Sequence, residues 1–106
     1  MQEVSWRKFY SNRRSFTWDM FVFVPEEFDY EPDATCLIAY EDEVYEDDDD
    51  ETPEKLAERG FKYLAQMNEI SMCYDDVWVH KKGKDSFFNF CKCVDYYLTR
   101  DGLLFP

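Results

Sequence analysis

The residues best equipped for chemistry in this chain are acids. The run Glu41-Asp42-Glu43-Val44-Tyr45-Glu46-Asp47-Asp48-Asp49-Asp50-Glu51 places nine carboxylates in eleven positions. Carboxylates at this density point either to a hard cation or to a basic macromolecule. The cation reading lacks its framework, because the run has neither the turn glycine nor the ligand spacing of a calcium loop. The second reading needs no fixed geometry: a focused negative surface raises the association rate with a basic partner. Other reactive groups are sparse. Cys91-Lys92-Cys93 falls in a helical pattern, where neighbours two apart point about 200° away from each other and cannot share a metal. His80 is the only histidine, which removes multi-histidine zinc sites and leaves a Cys–His dyad without support. There is no glycine-rich phosphate loop. The expectation is a protein that is not an enzyme, takes no cofactor and holds no metal.

The acids are also partitioned along the chain. Asp plus Glu number 24 against 12 Lys plus Arg, a formal charge of −12. Residues 26–58 hold sixteen acidic side chains and one basic one, Lys55. The rest of the chain carries a small positive excess. Solubility alone does not call for such concentration, which costs self-repulsion. Phe28, Tyr30, Tyr40 and Tyr45 lie among the acids, and aromatic residues commonly supply the buried anchors of an interface. The expected partner-binding residues are therefore Glu26, Glu27, Asp29, Tyr30 and Glu31, then Tyr40, Glu41, Asp42, Glu43 and Tyr45, then Glu46, Asp47, Asp48, Asp49, Asp50 and Glu51. The alternative is a solvated acidic loop with no specific role. Mimicry of DNA phosphate by phosphate is less apt. Same-face carboxylates on an extended strand repeat every ~6.6 Å, against ~3.4 Å for phosphates along one DNA strand.

Composition bounds the class. A chain of 106 residues, 45% apolar and 20% aromatic, fits one domain with a hydrophobic core. Residues 1–106 read as a single domain, with 41–51 an acidic loop inside it. The acidic balance argues against direct nucleic-acid binding and against an anionic membrane. No apolar h-region follows Met1, and the longest apolar run, Met20–Val24, is far short of a span of about 20 residues. A cytoplasmic protein, monomeric when free, is expected. Cys36, Cys73, Cys91 and Cys93 sit in apolar contexts without a disulfide-scaffold spacing and read as reduced core or near-core thiols.

The elements that must position the acids follow from periodicity. Residues 3–14 predict a short amphipathic helix with basic residues at its end. Phe16–Val24 predicts a strand stopped by Pro25, with Trp18, Met20, Val22 and Val24 on one face. Trp6, Trp18 and Trp78 all read as core, Trp78 being the one nearest to a surface. Thr35–Tyr40 predicts a second strand. Thr52 and Pro53 open a short helix that Gly60 ends. Phe61–Gln66 predicts a third strand. A helix from Asn68 to about His80 follows, although Val77–His80 also fits a strand. Asp85 or Ser86 caps a final helix to about Arg100, ended by Gly102. The class expected is α+β, a small antiparallel or mixed sheet of about three strands packed with three to four helices.

The order of a Phe16–Val24 strand ending in Pro25, then Thr35-Cys36-Leu37-Ile38, then an Asp/Glu run, then Gly60-Phe61-x-Tyr63-Leu64, then a helix carrying Asp95-Tyr96-Tyr97, resembles small acidic bacterial immunity proteins of contact-dependent growth inhibition and polymorphic toxin systems. The resemblance implies a protein that binds a toxin domain and blocks its active site or a nearby surface. A basic toxin nuclease domain is then the expected partner. The runner-up is a phage or mobile-element nucleic-acid mimic that inhibits a host defence or DNA-processing enzyme. An acidic adaptor without inhibitory function is a third class.

Overall fold

Two strands, Phe21–Pro25 and Thr35–Ala39, carry almost nothing but β-branched, aromatic and other apolar residues, so both must be covered on both faces. The computed structural model describes residues 1–47 and 49–106, and Asp48 lies outside the described residues. It shows an α+β protein: among the described residues, one four-stranded antiparallel sheet and five α-helices. The strands are β1 (Gln2–Ser5), β2 (Phe21–Pro25), β3 (Thr35–Ala39) and β4 (Phe61–Gln66), in spatial order β1-β3-β2-β4. The chain forms two compact units, Met1–Met67 and Asn68–Pro106.

The first unit holds the sheet. β2 pairs Phe23 with Leu37 of β3 and with Tyr63 of β4, antiparallel on both sides, with an irregularity after Val22 in the second ladder. β3 and β4 therefore run parallel to each other on either side of β2. Residues 26–34 form the hairpin connection from β2 to β3. Residues 40–60 form the crossover that carries the chain from the far end of β3 to the start of β4, as a parallel pair demands. The crossover contains α2 (Glu41–Val44) and α3 (Glu54–Glu58). On the sheet face beneath it, Phe23 and Leu37 pack with Leu56, and Phe21, Val44, Tyr45, Phe61 and Tyr63 complete the cluster. Alternation sends Val22, Val24, Cys36 and Ile38 to the opposite face, where all four are buried.

Three sequence expectations change here. Gln2–Ser5 is an edge strand paired with β3, and the helix α1 (Trp6–Ser11) begins only after Ser5, whose side chain accepts from the Lys8 N–H at 3.2 Å. Pairing along β3 outweighs local helical pattern, and Ser5 supplies the cap. The strand expected from Phe16 starts at Phe21. Its partner β3 ends at Ala39, opposite Phe21, so residues before it have no strand on that side, and on the other side only the Met20 carbonyl is reached, by the Met67 N–H at 2.8 Å. They turn instead, with the Met20 N–H donating to the Thr17 carbonyl at 3.1 Å. Trp18 is consequently 69% exposed, not core. The acidic segment is also more structured than a loop, since Glu41–Val44 is a helical turn.

The second unit is helical. α4 (Met67–Ser71) follows β4 directly and continues as a π-helix over Met72–Val79, where a plain α-helix was expected. The His80 N–H donates to the Asp75 carbonyl, five residues back, at 3.1 Å. Trp78 is buried, with its indole N–H donating to the Lys84 carbonyl at 3.0 Å. The ring also explains Gly83, where a Cβ would lie 2.5 Å from the Trp78 indole nitrogen. α5 (Phe87–Arg100) is capped by Ser86, whose side chain accepts from the Asn89 N–H at 3.1 Å. Its end is made by Asp101 in the left-handed region, one residue before the expected Gly102.

Candidate functional site

The crossover is built from residues that the fold needs as well as residues that it leaves exposed. Tyr45 belongs to the first kind. Its ring stands 5.3 Å from Phe21 and 6.1 Å from Phe23, and its hydroxyl donates to the Glu51 carbonyl at 2.5 Å. Burial, reinforced by the carboxylates of Glu51, Glu41 and Asp49, pushes the phenol up to about 12. Tyr45 is thus first an intramolecular anchor that ties the acidic run to the sheet. Asp49 is structural too: its carboxylate accepts from the Glu46 N–H at 2.6 Å and from the Glu54 N–H at 3.3 Å, closing one turn and serving the entry to α3. Glu43 meets the N-terminal ammonium at 2.7 Å and accepts from the Tyr40 N–H at 2.6 Å, and these contacts, the ammonium first, hold its carboxyl below the ordinary value. Glu46 pairs with Lys55 at 3.4 Å between two exposed side chains.

Part of the acidic crossover lines a broad cleft of about 1000 Å³. Phe21, Tyr45 and Gln66 contribute to its lining from the sheet and the crossover. Glu41, Asp42, Glu46, Asp47 and Asp49 come from the crossover, and Asp19 comes from the turn before β2. Two aromatic rings complete it: Trp18 from the same turn, and Tyr40 at the end of β3, 39% exposed. Tyr40 is held in place, because its hydroxyl accepts from the Thr17 hydroxyl at 3.0 Å and its backbone is clamped by Glu43. Among the described residues, no basic side chain lines this cleft. Such a surface attracts cations over long range and offers aromatic faces to them at contact.

The expected site residues do not form one surface. Glu26, Glu27, Asp29, Tyr30 and Glu31 lie in the hairpin connection at the Pro25/Thr35 end of β2 and β3. Tyr40–Asp47 and Asp49–Glu51 leave from the opposite end of β3, roughly 14 Å away at the rise of an extended strand; Asp48 lies outside the described residues. In the hairpin connection Tyr30 adopts a positive φ of 62° and packs against Trp6 and Phe28, at 5.9 and 4.8 Å between ring centres. The Trp6 N–H donates to the Ala34 carbonyl and the Arg7 N–H to the Pro32 carbonyl, fastening this loop to α1. Its acids are exposed, and Glu31 accepts from the Asp29 N–H at 3.0 Å. Trp18 and Asp19 are the residues that sequence reading missed. The available signal was Asp19 itself, a poor strand former inside an otherwise apolar run.

Three of the four thiols are shifted away from activation. Burial pushes Cys36 and Cys73 up to about 12 and Cys93 up to about 11, so none carries the thiolate that a nucleophile or metal ligand needs. Cys91 is half-buried on α5. Among the described residues no group of histidine, cysteine, aspartate and glutamate side chains is arranged to hold a metal ion. No helix of the described residues is long and apolar enough to cross a membrane.

Over residues 3–104 the chain matches the family described as "Domain of unknown function (DUF7716)", and it belongs to that family. No curated protein and no solved structure matches it.

Proposed function

We propose that this protein is a non-enzymatic inhibitor that binds a basic protein through the acidic crossover. The observation that carries the reading is the cleft between Trp18 and Tyr40. It is lined by six carboxylate residues and, among the described residues, no basic one. Carboxylates steer a positively charged surface toward the site, and exposed aromatic rings supply the contact area that charge alone does not. An immunity protein neutralising a toxin nuclease domain fits this chemistry best, since a nuclease presents a basic surface to its own substrate. The reading places the protein in the cytoplasm, where such a toxin acts and where unactivated thiols stay reduced. The buried, unactivated thiols of Cys36, Cys73 and Cys93 favour a binding role over a catalytic one.

The test is a capture of the partner from the native host, identified by mass spectrometry, followed by a stopped-flow salt series on the purified pair. Electrostatic steering predicts an association rate that falls steeply as the Debye length shrinks from about 10 Å at 0.1 M to about 3 Å at 1 M salt. A flat association rate, or an acidic partner, would remove the reading.

A further inference from the structure

The cleft carries more than charge. A fold that buries Trp6 completely and Trp78 almost completely leaves Trp18 69% exposed, beside a tyrosine that is 39% exposed and fixed at both its hydroxyl and its backbone. Exposed indole in water is unfavourable for a free protein, and the residue lines the same cleft as Tyr40. Asp19 is the next residue in the same turn, and Glu41 and Asp42 follow Tyr40 directly. Aromatic residues and carboxylates therefore line one space. A cation bound there meets a π-face on one side and charge-assisted acceptors on the other.

We propose, resting on the reading above, that this cleft seats an arginine side chain presented by an extended basic segment of the partner, with the guanidinium stacked on Trp18 and its N–H groups donating to the surrounding carboxylates. Arginine suits the site better than lysine for two reasons. Its planar, weakly hydrated guanidinium stacks on indole, and its five donors can satisfy several carboxylates at once, whereas ammonium is a strongly hydrated point charge. Tyr40, held by Thr17 and Glu43, loses little freedom on binding, which lowers the cost of association. A volume of about 1000 Å³ admits the flanking residues of the segment as well as one side chain.

The three tryptophans make the test direct, because Trp18 alone among them is solvent-exposed and its emission reports the cleft. Hexa-arginine and hexa-lysine peptides are titrated into the full chain at low salt, followed by tryptophan fluorescence and calorimetry. The expected result is a saturable change in emission that Trp18→Phe removes, and tighter binding of hexa-arginine. Trp18→Ala should lose about threefold to thirtyfold in calorimetric affinity, the span of a cation–π contact. Thermal melts of Trp18→Ala should match the unmodified chain, because the ring is largely outside the core. Peptide binding with unchanged Trp18 emission and undiminished affinity in Trp18→Ala would overturn the proposal while leaving the basic-partner reading in place. Equal affinity for the two peptides would overturn the choice of arginine. No binding of either peptide would overturn both.

Discussion

The two acidic regions of the first unit contrast in how the fold uses them. The hairpin connection 26–34 packs its aromatic residues, Phe28 and Tyr30, against Trp6, and all of its carboxylates are exposed. The crossover 40–60 also spends Tyr45 and Leu56 on the sheet, but it keeps Tyr40 at the surface and stands beside Trp18. Similar composition therefore yields two different surfaces: one is mainly charge, the other is charge with exposed large aromatic rings. Charge alone accelerates encounter, whereas aromatic contact in a concavity is what prolongs it.

That contrast breaks most visibly through the anchors. Trp6→Ala should cost about 3–5 kcal/mol and release the hairpin connection, and Leu56→Ala should cost about 2–4 kcal/mol and release the crossover. Both residues are buried, at 0% and 3% exposure. Denaturant melts give the totals, and hydrogen exchange separates them: amide protection in 26–34 should fall with the first and in 40–58 with the second.

Tyr45 gives an intermediate effect with a pH signature. Its folded value of about 12 lies above its ordinary 10.0 because burial and neighbouring carboxylates disfavour the phenolate. The protonated form is the one that the fold favours. Its contribution is complete below about pH 10 and lost as pH rises toward 12. Stability of the unmodified chain should therefore decline across that window more steeply than stability of Tyr45→Phe, as denaturant titrations at fixed pH would show. At neutral pH Tyr45→Phe should cost about 1 kcal/mol for the bond to the Glu51 carbonyl.

How much of this was legible beforehand depends on what kind of constraint set each element. β3, β4 and α5 were readable because their patterns are local: alternating Phe61, Tyr63 and Ala65, or Phe87, Phe90 and Val94 at helical spacing behind Ser86. β1 was not, because Gln2–Ser5 is a strand only by virtue of β3. Nor was the turn at Thr17–Met20, which exists because β3 stops opposite Phe21. The acids of 26–33 and 41–51 read as one partner-binding segment although the strand Thr35–Ala39 separates them. Strand order decides otherwise, because a hairpin and a crossover leave opposite ends of β3. Tyr45, flanked by acids, resembled a surface probe until its packing on Phe21 and Phe23 was visible.

Smaller effects sharpen the picture within the crossover. Asp49→Ala should destabilise by about 1 kcal/mol, because it removes the acceptor for the Glu46 and Glu54 N–H groups. The pair Asp47→Asn and Asp50→Asn should stay within about 0.5 kcal/mol of the unmodified chain, since exposed charges that repel one another contribute little to folding. Equal losses at all three positions in a thermal melt would mean that the run is held by its charge pattern and not by Asp49.

The central claim is that the partner meets the crossover end of the sheet and not the hairpin end. Two sets of neutralised variants compare them at equal charge: Glu41→Gln, Asp42→Asn and Asp47→Asn at one end, Glu26→Gln, Glu27→Gln and Glu31→Gln at the other. The measurement is the association rate with the captured partner at low salt. A drop of about tenfold or more is expected for the crossover set and of less than about twofold for the hairpin set, as steering by charges at and away from an interface requires. The reverse order, or equal drops for both sets, would contradict the claim.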